Sequence, residues 1–179
     1  QLDFTRQIMA LDSTRGNERP AQQLFHDALA RRGYDMDQWA IDVTDIESHP
    51  GFSPVKINYD NAVNVVGTHL PDQTNGQSLI LNGHIDVVPT GPLDMWTRPP
   101  FDPWIKGDWL YGRGGADMKA GLCANVAALD ALESLGFQPA ARVHVQSVTE
   151  EECTGNGALS ALVRGYQADA ALIPEPEEN

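Results

Sequence analysis

Apolar positions recur along the chain with two different periods. Runs that alternate, or that stay continuously apolar, predict strands at residues 37–43, 62–70, 78–88, 141–149 and 168–176. Runs with apolar residues three and four positions apart predict helices at residues 17–33, 118–136 and 155–165. Asn17 is the expected N-cap of the first of these helices, and Gly33 and Gly136 are expected helix ends. Gln1 also lies within a helix-like segment.

The order of these elements predicts the fold class. Strands alternate with helices, and several strands are apolar on both faces, as parallel strands covered by helices are. We therefore expect an α/β fold, a three-layer sandwich with a mixed, mostly parallel sheet and helices on both faces. A long loop precedes a short strand and glycine turn at residues 108–117. Trp96, Phe101 and Trp104 are expected to anchor this loop, and lining of a cleft is the alternative.

Polar side chains of the kinds that bind metals follow four of the predicted strands. They are His84, Asp86, Asp117, Glu150, Glu151, Glu152 and Glu175. In open α/β sheets, sites form just outside the carboxyl ends of the strands, so we expect these side chains to meet. One imidazole with several carboxylates suits Zn²⁺, Mn²⁺ or Co²⁺. Without a cation, the converging carboxylates would repel one another.

Neighbouring polar residues at these strand ends can divide the chemistry between them. Asp86 follows His84 by two positions, so both side chains share one face if the strand continues. Asp86 can then accept the imidazole N–H that does not face a metal. Consecutive glutamates point in different directions, so one can ligate a metal while the next takes a proton from the attacking water. The sequence therefore indicates metal-assisted hydrolysis.

The amino-acid composition limits which partners and which cellular compartment we expect for this protein. The 179 residues include 25 acidic and 12 basic side chains, for a net charge of −13. Nucleic acid and anionic membranes need clustered Lys and Arg, so we expect neither as a partner. No apolar run is long enough to span a membrane, no signal peptide is visible, and there are only two cysteines. A cytoplasmic protein without disulfides is expected.

Four short motifs point to a known family. The segments "GHIDVVP", "GRGGADMKAG", "TEEECTGNGA" and "PEP" resemble, in order and spacing, those of the M20 metallopeptidase family. Its members include acetylornithine deacetylases, succinyl-diaminopimelate desuccinylases, aminoacylases and carboxypeptidases. The resemblance runs from residue 61 to residue 175, with a weaker echo in "DSTRGNE". It implies the zinc-dependent exopeptidase-like form of the α/β sandwich and two Zn²⁺ ions in each active site, with Co²⁺ or Mn²⁺ as alternatives.

The resemblance also implies a role for each matching residue. One residue would orient a metal ligand, and another would be the general base; they are Asp86 and Glu151 respectively. The implied metal ligands are His84, Asp117 as the bridge between two ions, Glu152 and Glu175. The register within the three glutamates follows from Gly157 and Ala158, which fit the family pattern when Glu152 is the ligand. A shift by one position would make Glu150 the base, and this alternative stays open.

The family pattern extends beyond the matched motifs. It includes a last metal-binding histidine and a lid domain used for dimerisation, and neither can be matched here. We therefore expect residues 1–179 to be the N-terminal part of a single metallohydrolase catalytic domain, which would form a homodimer through the lid. The implied substrates are small N-acylated amino acids or dipeptides, and the implied activity is that of an acetylornithine deacetylase-like amidohydrolase.

Several alternatives to this interpretation remain. A desuccinylase, dipeptidase or carboxypeptidase of the same family would use the same residues, whereas a non-catalytic homologue or a purely structural domain would not need a base. The remaining histidines are expected in the surface or core; they are His26, His49, His69 and His144. Cys123 is expected to pack in a helix, and contact of Cys153 with a metal is a lesser alternative. No dinucleotide site is expected, because "GRGGAD" lacks the third glycine of that motif.

Overall fold

Residues 1–176 of the chain are described by a computed structural model, and they form five α-helices and seven strands. The helices are α1 (Leu2–Met9), α2 (Arg19–Ala30), α3 (Val43–Ile46), α4 (Ala120–Ser134) and α5 (Asn156–Val163). The strands are β1 (Asp35–Ala40), β2 (Val63–His69), β3 (Leu79–His84), β4 (Trp104–Lys106), β5 (Trp109–Tyr111), β6 (Val143–Val148) and β7 (Ala170–Leu172). Residues 177–179 of the expected domain lie outside the described residues.

Five of the strands form one mixed sheet in the order β1-β2-β6-β3-β7. The pairs β6/β3 and β3/β7 are parallel, whereas β1/β2 and β2/β6 are antiparallel. The parallel strands are those joined by the crossovers that contain α4 and α5, and crossovers of this kind need a helix. The mixed α/β sheet is the fold class that the sequence predicts, with its parallel half around β3.

Helices cover both faces of this sheet, as predicted. Alternate residues of β2 and β6, such as Val65 and Val145, face a large core shared with α1, α2 and α4. Phe25 and Leu122 are fully buried in that core. The opposite face carries α5, where Asn64 of β2 donates from Nδ2 to the backbone oxygen of Gly157, 2.8 Å away. A smaller apolar cluster between α3 and α5 closes this layer.

The first half of the chain departs from the predicted boundaries in two places. Helix α2 begins at Arg19, so Asn17 is not its N-cap, and the Asn17 side chain instead donates to the Thr14 hydroxyl. The predicted strand at residues 37–43 ends early because Asp42 caps a short helix, α3, by accepting from the backbone N–H of Thr44 at 2.9 Å. The second difference reflects local capping by a polar side chain, which competes with extended structure.

The second half differs mainly at the long loop and at the last strand. The loop closes with a two-stranded hairpin, β4 and β5, where Trp104 stacks on Tyr111 at 4.8 Å between ring centroids. The expected buried strand at residues 168–176 is shorter, and within residues 1–176 β7 is an exposed strand that pairs with β3. Among residues 1–176, none of the helices combines the length and apolarity that crossing a membrane requires.

Candidate metal centre

The carboxyl end of β3 places His84 in the interior of the sheet, where its side chain is 1% exposed. Its Nδ1 lies 2.8 Å from the backbone carbonyl oxygen of Asp86. A carbonyl only accepts, so Nδ1 carries the proton of this contact and Nε2 is left to act as a ligand. Three carboxylate oxygens surround Nε2, at 3.1 Å (Asp117), 3.5 Å (Glu175) and 3.8 Å (Glu151).

Asp86 connects this histidine to the glutamate turn that follows β6. Its carbonyl is the oxygen nearest to His84 Nδ1, and its carboxylate oxygen Oδ1 lies farther away, at 3.5 Å. The other carboxylate oxygen, Oδ2, accepts the backbone N–H of Glu152 at 3.2 Å. Asp86 therefore contacts the imidazole mainly through its backbone, while its buried carboxylate fixes the position of Glu152.

Asp117 reaches the site from a glycine-rich turn that runs close to the end of β3. Gly114 has φ +73°, and a Cβ atom there would lie 2.7 Å from Cγ1 of Val87, so this position requires glycine. The following segment, Gly115–Lys119, leaves the helical conformation at Asp117 and Met118 and carries Asp117 towards His84. The Asp117 side chain is 52% exposed, so it faces His84 on one side and the open cleft on the other.

The three consecutive glutamates after β6 take three different environments. Glu150 is 1% exposed, and its carboxylate is held by Arg15 at 2.5 and 2.6 Å and by the Tyr59 hydroxyl at 2.7 Å. The Glu151 side chain is 49% exposed and faces His84 across the cleft. Glu152 is partly buried and close to His84 and Asp117. Neighbouring glutamates in this turn therefore differ: the Glu150 carboxylate is in a buried ion pair, whereas the Glu151 carboxylate lies in the open site.

Gly157 explains why the glutamate turn can fold back so tightly onto the start of α5. A Cβ atom at this position would lie 1.8 Å from the backbone oxygen of Thr149, which no side chain can tolerate. Thr149 is itself fixed, because its N–H donates to Oδ1 of Asn64 at 3.1 Å. The glycine used to set the register of the glutamates is thus required by the close approach of two backbone segments.

The described residues contain a group of side chains able to hold a metal ion. Within residues 1–176, His84, Asp117 and Glu152 each offer a ligand atom, and these atoms lie within 4.8 Å of one another. Glu175, which follows β7, adds a carboxylate oxygen at 3.5 Å from the same nitrogen, Nε2 of His84. The four expected ligands are therefore brought to one place. A borderline imidazole with hard carboxylates is a donor set that fits zinc and related divalent ions.

The electrostatics of the group also favour a cation. Burial raises the pKa of Glu175 to about 7, and a hydrogen bond with Asp117 acts in the same direction. Burial also raises the pKa of Glu152, followed in size by the charge of Asp117. Burial alone would lower the pKa of His84, but the hydrogen bond and charge of Asp86 outweigh it and raise that pKa to about 10. Protons thus neutralise the group where a divalent cation would otherwise do so.

A cleft of about 630 Å³ opens beside these side chains. Its walls include His84, Glu151 and Glu175, together with apolar contributions from Met118, Val148 and Ile173. A small organic substrate fits a volume of this size. The predicted base therefore lines the same cleft as two of the predicted ligands.

Sequence reasoning missed three charged residues near the site, of which Glu18 and Lys119 are buried and Arg15 is partly exposed. Arg15 pairs with Glu150, and Glu18 accepts the backbone N–H of Gly16 at 2.9 Å with both carboxylate oxygens. Lys119 is fully buried, and its Nζ donates to the backbone oxygens of Ile8 and Leu11 at the end of α1. Both the segment "DSTRGNE" and the lysine of "ADMKAG" are visible in the sequence, but neither indicates which distant residues these side chains contact.

The remaining expected side chains lie outside this group. His144 contacts the Thr68 hydroxyl at 2.9 Å, and His69 contacts the backbone oxygen of Pro139 at 3.0 Å. Cys123 packs in the main core, as predicted, whereas Cys153 is exposed and free. Trp96 anchors the long loop by donating from Nε1 to the backbone oxygen of Thr90 at 2.8 Å.

Curated proteins with related sequences are hydrolases by name. The succinyl-diaminopimelate desuccinylase of Dechloromonas aromatica is 38% identical over 131 residues, 70% of this chain and 34% of that protein. The desuccinylase of Burkholderia ambifaria is 33% identical over 182 residues, 98% of this chain and 43% of that protein. An N-formyl-4-amino-5-aminomethyl-2-methylpyrimidine deformylase of Halalkalibacterium halodurans is 33% identical over 163 residues, 89% and 34% of the two chains. This chain thus spans less than half the length of these relatives.

Solved structures share the fold. An M20 family metallo-carboxypeptidase from Sulfolobus solfataricus matches with a TM-score of 0.73 and 18% identity, over 97% of this chain and 36% of that one. Human carnosine dipeptidase 1 matches with a TM-score of 0.71 and 22% identity, over 98% and 38%. The sequence profile of peptidase family M20/M25/M40 matches residues 80–179. Because this match covers more than half of the chain, the chain belongs to peptidase family M20/M25/M40.

Proposed function

We propose that this chain carries most of the active site of a zinc-dependent hydrolase that cleaves the amide bond of small N-acylated amino acids. The observation that carries the proposal is the convergence of Asp117, Glu151 and Glu175 on Nε2 of a buried histidine, His84. Asp86, at Nδ1, occupies the other side of this ring. The family to which the chain belongs and the names of its relatives support the same reaction type.

The residues divide into ligands and positioning groups. His84, Asp117, Glu152 and Glu175 would hold two zinc ions, with Asp117 between them, and Co²⁺ or Mn²⁺ would suit the same donors. Bound zinc would polarise the amide carbonyl and lower the pKa of the attacking water. Asp86 orients His84 and anchors Glu152. The ligand set of the second ion would be completed by a residue that the described segment does not provide.

Glu151 is the proposed general base. It stands at the cleft with an exposed carboxylate, so it can accept a proton from the attacking water and then deliver it to the leaving nitrogen. Glu150, the alternative left open by the sequence, is unsuited to this role. Its two oxygens are occupied by Arg15 and Tyr59, and the side chain is buried away from the cleft.

The proposal also concerns the identity of the substrate, which consists of an acyl group and an amine. Sequence resemblance favours an acetylornithine deacetylase-like enzyme, whereas two of the curated relatives described above are named succinyl-diaminopimelate desuccinylases. A dipeptidase or carboxypeptidase activity is the third choice, in line with the names of the solved structures. We further propose a cytoplasmic homodimer, with the dimer contacts lying outside this chain.

A substrate panel tests this proposal. The zinc-loaded full-length protein is assayed with N-acetylornithine, N-succinyl-diaminopimelate, other N-acyl amino acids and a dipeptide. Glu151→Gln should lower kcat by about 10²- to 10⁴-fold, the range of general-base catalysis. Glu133→Gln, an exposed glutamate on α4, is the matched control and should retain full activity. Equal turnover by wild type and Glu151→Gln would contradict the assignment, and zinc binding without any turnover would favour a non-catalytic homologue.

A further inference from the structure

The Glu150 carboxylate is enclosed by four side-chain hydrogen bonds beside the site. Arg15 donates to it from Nε at 2.5 Å and from a terminal nitrogen at 2.6 Å, a two-point contact with fixed geometry. The Tyr59 hydroxyl donates at 2.7 Å, and the Thr154 hydroxyl at 3.1 Å. Glu150 is 1% exposed, and the side chain of Arg15 is 35% exposed. Arg15 is thus the charged group that balances a buried carboxylate.

The backbone at Glu150 is also held in an unusual conformation. Its φ angle is +66°, a left-handed value that side chains other than glycine adopt rarely. Its carbonyl oxygen accepts the N–H groups of Thr154 and Gly155, at 2.9 and 2.8 Å, which closes the turn that contains Glu151 and Glu152. A residue stays in such a conformation only when its surroundings hold it there. The contacts of the Glu150 side chain supply that support.

The same network reaches into two distant parts of the chain. Arg15 follows α1 and stands 135 positions before Glu150 in the sequence. Tyr59 lies between α3 and β2, and its hydroxyl also accepts a hydrogen bond from Nδ2 of Asn156, at the start of α5. The turn that presents the proposed base and a proposed ligand is therefore fixed from outside the cleft, by groups that do not line it.

We propose that Arg15 is a positioning residue, which acts through its two hydrogen bonds to Glu150 to hold Glu151 and Glu152 at the metal centre. This inference rests on the proposed function, because Glu151 and Glu152 are the proposed base and ligand. Loss of the guanidinium leaves a buried carboxylate without its balancing charge. The turn then relaxes from the left-handed conformation, and the two following carboxylates move with it.

The inference predicts an effect on geometry that a purely structural ion pair would not have. Arg32 and Asp130 provide the control, since their two-point contact, at 2.6 and 2.8 Å, joins the segment after α2 to α4 away from the cleft. The side chain of Arg32 is 26% exposed, similar to that of Arg15, although its partner Asp130 is 41% exposed and Glu150 is 1% exposed. Both Arg15→Gln and Arg32→Gln remove one two-point arginine contact, but only the first touches the glutamate turn.

The experiment compares Arg15→Gln, Arg15→Lys and Arg32→Gln in the full-length protein. We expect Arg15→Gln to lower kcat by about 10- to 100-fold, as small displacements of reacting groups do, with KM changed less than about twofold. The visible absorption of the Co²⁺-substituted protein should also change, because Glu152 is a proposed ligand. Arg15→Lys, which keeps the charge but not the two-point geometry, should be intermediate. Arg32→Gln should match wild type in kcat and in the cobalt spectrum.

Two results would overturn the inference. One is a folded Arg15→Gln protein whose kcat and cobalt spectrum equal those of Arg32→Gln; if Arg15→Gln does not fold, Arg15→Lys is judged by the same comparison. The other is a change in thermal stability alone. If the wild-type protein hydrolyses none of the amides, the proposed function fails, but the cobalt spectra of the variants still decide whether Arg15 positions Glu152.

Discussion

Two acidic clusters lie at the carboxyl end of the sheet, and they differ in how their charge is balanced. The paired cluster consists of Glu150 with Arg15 and Tyr59, and its carboxylate is fully provided with donors from the protein. The open cluster consists of Asp117, Glu151, Glu152 and Glu175 around His84. In the open cluster, one imidazole is the only cationic group within contact of several carboxylates in the described part of the chain.

The difference between the clusters indicates which one has a function outside the fold. A buried carboxylate with a two-point arginine contact is complete in itself, and it contributes to the structure. A group of carboxylates without a protein cation is unfavourable unless protons or a metal ion neutralise it. Burial raises the pKa of Glu175, and the hydrogen bond and charge of Asp86 raise that of His84 against the effect of burial, so both side chains favour their protonated forms at this place. A divalent ion is the alternative that the donor set fits.

The largest expected effect comes from removing a central carboxylate of the open cluster. Asp117→Asn keeps the size of the side chain but removes its charge and one strong donor atom. We expect zinc affinity to fall by more than about 100-fold, the upper size of effects seen for groups outside the ligand shell. Competition with a chromophoric chelator measures this. Asp94→Asn, at an exposed position in the long loop, is the control, and equal affinity of the two variants would contradict the account.

Zinc should also stabilise the folded protein through the open cluster. A ligand that binds only the folded state at about 1,000 times its Kd adds about 4 kcal/mol to the free energy of unfolding. Thermal unfolding of the full-length protein with and without excess zinc should therefore give separate Tm values. Asp117→Asn should lose most of this separation. A zinc-induced shift that is unchanged in Asp117→Asn would place the stabilising ion elsewhere.

Glu18 is a buried acid in the segment "DSTRGNE", and it interacts electrostatically with Asp86 and Glu150. Burial raises its pKa from 4.5 to about 7, although backbone N–H groups oppose the shift. The folded chain therefore binds more protons than the unfolded chain between these two values, and stability falls as pH rises through that window. The loss attributable to Glu18 amounts to at most about 3 kcal/mol.

Glu18→Gln should remove this part of the pH dependence. Urea denaturation at pH 4.5 and at pH 7.5, compared between wild type and variant, isolates it from other titrating groups. Glu47→Gln, an exposed glutamate after α3, is the control. A difference between the two pH values that is the same in wild type and Glu18→Gln would show that this carboxyl does not control the dependence.

The smallest expected effect comes from an ion pair on the surface, outside both clusters. Arg164 and Asp37 form a two-point ion pair at 2.7 and 3.0 Å, but both side chains are partly exposed, at 44% and 31%. Solvent screens such pairs, so Arg164→Gln should lower the free energy of unfolding by less than about 1 kcal/mol. Urea denaturation measures this change. If the free energy of unfolding fell by much more than about 1 kcal/mol, burial would not explain why the ion pair of the paired cluster contributes more than a surface ion pair.

The candidate site could be predicted from sequence because its parts lie at strand ends. His84, the glutamates after β6 and Glu175 follow three neighbouring parallel strands, and the rule that parallel strands end at one edge brings them together. Asp117 follows β5, which lies in the separate β4/β5 hairpin, so the glycine turn and not this rule brings it to the site. Gly157 set the alignment of the three glutamates with the family pattern. The structure requires glycine there because the backbone of Thr149 lies too close for a Cβ atom. The mixed α/β fold was predictable for the same reason, since the apolar periods are local properties of the chain.

The parts that could not be predicted depend on partners distant in sequence. The pairing of Arg15 with Glu150 spans 135 positions, and no period or motif indicates it. The burial of Lys119 depends on the end of α1, more than a hundred positions earlier. The apolar sequence of β7 does not indicate that this strand is short and exposed within the described residues. Local capping at Asp42 overrode an otherwise strand-like pattern.

The most direct test of the central claim is X-ray diffraction at the zinc absorption edge from crystals of the zinc-loaded full-length protein. We expect anomalous density at about 2.0–2.2 Å, the ligand distance of zinc, from His84 Nε2 and from a carboxylate oxygen of Asp117. Glu152 and Glu175 should be among the further ligands. The contradicting result would be zinc bound elsewhere, with His84 Nε2 still in direct hydrogen-bonding contact with the carboxylates of the open cluster.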